Sequence, residues 1–124
     1  MLTTSPHTLK TKRLVLAQVE VCMGCCCGQT SRGKPEVPVE WLKSEWRKRG
    51  LLKNVQLTIS GCLGPCDVPN VVKISSIEGE IWLGNIDRYE QYGALLDWAC
   101  DTRAANRILP LPENLADRTL DPYR

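Results

Sequence analysis

The sequence predicts an α/β fold, a β-α-β-β-β-α sandwich with a mixed sheet. Two alternating apolar runs bracket one amphipathic stretch, the pattern of a parallel strand crossover. Two shorter apolar runs flank the turn signal Glu78-Gly79, as a hairpin does. A helical period then closes the domain.

Each element has its own justification. Residues 1–12 are polar and read as a flexible arm. Leu14 to Val21 (LVLAQVEV) alternates well enough for the first strand. Pro38 opens a helix that Gly50 is placed to stop. Val39, Leu42 and Trp46 share one of its faces. Val55 to Ile59 (VQLTI) is the second strand, and Val71 to Ile74 pairs with Glu80 to Leu83 in the hairpin. Tyr89 to about Asp101 is the last helix, with Tyr92, Leu95, Leu96 and Ala99 turned to the core. The domain is thus expected over 13–101, followed by a proline-containing tail, 102–124.

Cysteine carries the chemistry. Seven occur in 124 residues, and six fall in two clusters. Cys22, Cys25, Cys26 and Cys27 lie in VCMGCCCG, and Cys62 and Cys66 in SGCLGPCDVPN. Both clusters follow strands and sit among glycines. Parallel strands put their carboxyl ends on the same side of a sheet, so topology alone is expected to bring the clusters together. Four converging thiolates suit an iron–sulfur cluster or a structural zinc. Gly24, Gly28, Gly61 and Gly64 permit close approach of backbone to such a centre. Leu63, Pro65, Val68 and Pro69 would wall it, and Trp82 would shield it. Cys100 is expected in the core, and His7 in the solvated arm.

The pattern strand–Cys-x4-Cys–helix–strand–GCLGPCDVPNVV resembles the thioredoxin-like [2Fe–2S] ferredoxins over roughly residues 13–100. The resemblance implies a thioredoxin-like fold and four cluster ligands: Cys22, Cys27, Cys62 and Cys66. Cys25 and Cys26 are extra thiols in the first loop, and either is an alternative to Cys27. The resemblance implies a small electron carrier that acts on no substrate of its own, works with a redox partner protein, and forms a homodimer.

Other readings stay open. Cys22-x2-Cys25 with Cys62-x3-Cys66 also fits a structural zinc site. A Cys-x-x-Cys redox enzyme would leave the second pair unexplained. A metal-binding accessory protein, with zinc or a labile cluster used in assembly, sensing or tetrapyrrole metal insertion, is the alternative function. The odd cysteine count and the lack of a secretory hydrophobic region place the chain in a reducing, cytoplasmic compartment. No apolar run is long enough to span a membrane, and a net charge of +2 gives no reason to expect nucleic acid. Charge is uneven: residues 10–53 hold ten Lys/Arg against four Asp/Glu, a formal +6, and 54–124 hold six against ten, a formal −4. Arg32, Lys34, Lys43, Arg47, Lys48, Arg49 and Lys53 make the first helix and its approach basic. That face is either simply solvated or a docking surface for an acidic redox partner.

Overall fold

The computed structural model describes residues 9, 11–24, 27–65 and 67–123. Five strands form one open mixed sheet: β1 (Ala17–Cys22), β2 (Val55–Ser60), β3 (Val72–Ser76), β4 (Gly79–Leu83) and β5 (Thr119–Leu120). Three helices accompany it: α1 (Val39–Lys48), α2 (Tyr89–Ala105) and α3 (Glu113–Ala116). The strand order is β2-β1-β3-β4-β5. β1 and β2 run parallel, and the other neighbours are antiparallel. Among the described residues no helix is long and apolar enough to cross a membrane.

Alternation along β1 divides the sheet into two faces. Ala17, Val19 and Val21 are buried and join Leu42 and Trp46 of α1 and Tyr92, Leu95 and Leu96 of α2 in the main core. The opposite parity carries Gln18, Glu20 and Cys22. Register places Lys73 beside both Glu20 and Trp82, and Trp82 beside Leu120, so these residues share the second face. Cys22, Cys27, Val71 and Trp82 make a separate small apolar cluster, against which Leu63, Val68 and Leu120 pack.

The crossover is fixed by one residue in particular. Trp46 of α1 is fully buried, and its indole N–H donates to the Val55 carbonyl at 2.7 Å. The helix is thereby tied to the first residue of β2. Its burial satisfies the one polar atom of a large side chain, the condition under which tryptophan suits a core.

Most element boundaries shift by a residue or two from the sequence reading, and the larger differences are these. The first strand begins at Ala17, not Leu14. Leu14 is largely exposed, and its carbonyl accepts from the Asn54 side chain instead of from a neighbouring strand. The last helix runs to Ala105, beyond Asp101, and stops where Asn106 takes a left-handed conformation (φ 55°). The segment after it forms α3 and β5, which the proline content concealed. Trp98 donates to the Leu109 carbonyl at 2.8 Å, pinning this segment to α2, and β5 pairs with β4.

Replacing Trp46 tests the crossover. Trp46→Ala is expected to cost about 3–5 kcal/mol in urea unfolding, a large part of a small domain's stability. Trp46→Phe should cost less, since the volume is mostly kept and only the bond to Val55 is lost. Equal, small losses in both variants would show that Trp46 does not anchor α1.

Candidate functional site

The sheet order dictates where the cysteine loops meet. β1 lies between β2 and β3. The connection from β2 to β3 must therefore cross the carboxyl end of β1, and that end is Cys22. Register places Cys22 level with Ser60, two residues before Cys62. On the other side the Cys22 N–H donates to the Val71 carbonyl at 3.0 Å, as the connection enters β3. Met23 N–H donates to the Ser60 carbonyl at 2.9 Å. The first cysteine loop is thus clasped between the two ends of the second.

The first loop then folds on itself. Gly24 and Cys27 exchange two backbone hydrogen bonds, both at 2.9 Å. Gly24 has φ 107°, a conformation that glycine adopts without steric cost. This closure returns the chain so that the Cys27 side chain lies against that of Cys22. Both thiols are buried, each 2% exposed. Cys62 is exposed on the outer side, close enough to influence Cys27 electrostatically. Cys22, Cys27, Cys62 and Cys100 are all thiols, none a disulfide half. Among the described residues no group of three Cys, His, Asp or Glu side chains forms a metal-binding set. Cys25, Cys26, Cys66 and His7, each considered from the sequence, lie outside the described residues.

Burial governs the chemistry of this pair. It pushes the Cys27 thiol up to about 12, helped by the neighbouring Cys22 thiol and by Cys62, and opposed by a hydrogen bond from the Val71 backbone. Two adjacent buried sulfurs cannot both carry charge without a cation between them. A metal would supply that cation, and the Val71 N–H points at the Cys27 sulfur.

Asn70 ties the surroundings together, and sequence reasoning quoted it without giving it a role. Its side chain is fully buried. Oδ1 accepts from the Gly28 N–H at 2.6 Å, next to Cys27. Nδ2 donates to the carbonyls of Pro35 at 3.0 Å and Ile86 at 3.1 Å. One amide thereby connects the first cysteine loop, the approach to α1 and the approach to α2. The signal was the Pro-Asn-Val-Val run itself: a polar residue set inside an apolar one.

The apolar wall is partly as expected. Leu63 and Val68 pack on the thiol cluster, and Trp82 belongs to it. Leu120, from the tail, was not foreseen. Trp82 is held by several partners: its indole N–H donates to Glu80 at 3.1 Å, Lys73 sits 5.2 Å from the ring centre, and Tyr123 meets it edge-on. Gly61 does not take a left-handed conformation, whereas Gly64 does (φ 124°). Cys100 packs against the main core as expected but is only half-buried, its sulfur accepting from Arg49 at 3.6 Å, so its expected burial is corrected.

The basic surface proves to be divided. α1 runs away from the cysteine end, so Arg47, Lys48 and Arg49 lie near Asn54 and the start of β2, at the far end of the sheet. Lys43 pairs with Glu40, Lys48 with Glu45, and Arg49 with Glu45 and Asp97. Arg32 and Lys34 lie nearer the site, in the turn where Lys34 N–H donates to the Gln29 carbonyl at 3.1 Å.

Comparison of the sequence with protein-family models and with curated proteins finds no match.

Thiol alkylation of the metal-free protein tests this geometry. The reagent attacks the thiolate, so a buried thiol with a raised pKa is protected. At pH 8 Cys62 should be labelled well before Cys22 and Cys27, as read by peptide mass spectrometry. Asn70→Ala should speed labelling of Cys27 and cost about 1–3 kcal/mol, by leaving buried backbone groups unpaired. Labelling of Cys27 as fast as Cys62 in the folded wild type would contradict the buried pair.

Proposed function

We propose that this chain is a small electron carrier holding one [2Fe–2S] cluster through Cys22, Cys27, Cys62 and Cys66. The observation that carries the reading is the crossing of the β2–β3 connection over Cys22, with the Cys22 and Cys27 thiols side by side beneath it. The described residues fit the group: two buried thiols, a third at the rim, an inward backbone N–H and an apolar wall. A strand–helix–strand unit followed by a hairpin and a closing helix supports the thioredoxin-like form of the fold.

When bound, a [2Fe–2S] cluster would supply a one-electron couple at a potential set by its surroundings. The chain's own contribution is to hold and insulate. Cys22 and Cys27 would be the inner ligands, fixed by the β1 backbone and the Gly24–Cys27 closure. Val71, Trp82, Leu63 and Leu120 exclude water from the inner side. Cys62 is exposed, so the outer side is the route for the electron. An acidic partner docking there would meet Arg32 and Lys34 before the distant basic end of α1.

Protein purified without oxygen should be red-brown, contain two irons and two sulfides per chain, and bleach on reduction. Cys22→Ser, Cys62→Ser and Cys66→Ser should each lose most of the iron. Cys25→Ser and Cys26→Ser should keep it. A colourless protein with one zinc per chain would replace this reading with the structural-zinc one. A cluster that cannot be reduced and reoxidised without losing iron would favour the accessory-protein function.

A further inference from the structure

One polar atom near the thiols has no hydrogen-bond partner among the described residues. Tyr92 lies in the first turn of α2 with its side chain 1% exposed. Its hydroxyl is buried and has no hydrogen-bond partner among the described residues. Leaving a buried hydroxyl unpaired costs about 1–3 kcal/mol, so such an atom calls for an explanation.

The neighbours narrow the choice. The groups that act on the hydroxyl are the Asn70 side chain, near enough to influence it as a hydrogen-bonding group though not at bonding distance, and then Cys27 and Cys22 through their charge. Asn70 is already committed, its oxygen to Gly28 and its nitrogen to Pro35 and Ile86. In the residue before it, the Gln91 oxygen is taken: it accepts from the Asp87 and Arg88 N–H groups, and the nitrogen donates to the Asn114 carbonyl. Among the described residues, what remains near the phenol to accept a hydrogen bond from it is the thiol pair. A neutral thiol is a weak acceptor, whereas a thiolate ligand is a strong one. Burial raises the phenol above its ordinary range, opposed by the Asn70 side chain and helped slightly by the two cysteines, so it keeps its proton and remains a donor.

We propose that the Tyr92 hydroxyl donates a hydrogen bond to a sulfur of the buried Cys22–Cys27 pair once these are thiolates holding the metal centre, and that it thereby raises the reduction potential. The inference rests on the iron–sulfur reading above. A donor to a ligand sulfur favours the more negative, reduced form, and hydrogen bonds to sulfur are among the levers that set cluster potentials. Tyr92 is a tuning residue: it holds no metal and transfers no electron. In the metal-free chain the same hydroxyl is buried without a partner among the described residues, and it gains one on loading.

Tyr92→Phe separates the two states. In metal-free protein the variant should be as stable to heat as the wild type or more so, because it removes an unpaired buried group. In loaded protein its potential should fall by up to about 59 mV, a tenfold change in the ratio of reduced to oxidised forms for one electron. The wild type's iron–sulfur stretching frequencies should shift in heavy water more than the variant's. Equal potentials and equal shifts in two loaded proteins would overturn the hydrogen bond while leaving the iron–sulfur reading intact. A metal-free variant less stable than wild type would show that the hydroxyl already has a partner, and would also overturn it. A wild type that takes up no iron and sulfide would overturn the iron–sulfur reading, and the hydrogen bond with it.

Discussion

Everything at the candidate site follows from β1 lying between β2 and β3. Consecutive strands that are not neighbours must be joined across the end of the strand between them. Here the joining segment carries Cys62 and Cys66, and the strand it crosses ends in Cys22. The backbone bonds from Cys22 to Val71 and from Met23 to Ser60 hold both ends of the crossing against the first loop. Two sequence-distant cysteine clusters are thereby placed at one end of the sheet without any direct bond between their side chains being required.

The surroundings make that placement chemically consequential. Main-core packing occupies the helix-covered face, leaving Cys22, Val71, Trp82 and Leu120 to build a second apolar layer on the other. Both thiols are buried, and burial pushes the Cys27 thiol up. A bound cation would make a charged form favourable there, and on the proposed reading the Tyr92 hydroxyl would then have an acceptor beside the inward Val71 N–H. The polar groups around the pair are thus better matched to thiolates than to thiols.

Much of the element order was legible in the sequence because it rests on local periodicity and glycine punctuation. Val39, Leu42 and Trp46 read as one helical face, and Leu42 and Trp46 are fully buried. Tyr92, Leu95, Leu96 and Ala99 were read the same way and are buried too. What was not legible depends on long-range partners. α3 and β5 carry no strong period of their own: β5 is two residues long and is specified by its pairing with β4. The role of Asn70 depends on three groups far away in sequence, and the buried Tyr92 hydroxyl is notable only for lacking a partner among the described residues. The basic helix was visible as a run of charges, but only the direction of α1 reveals that its basic end lies away from the cysteine loops.

Anomalous diffraction at the iron edge, from crystals of protein purified without oxygen, tests the central claim most directly. The account predicts two iron peaks per chain at the carboxyl ends of β1 and β2, bound by sulfur from both cysteine loops. A single metal, or metal held by one loop alone, would contradict it.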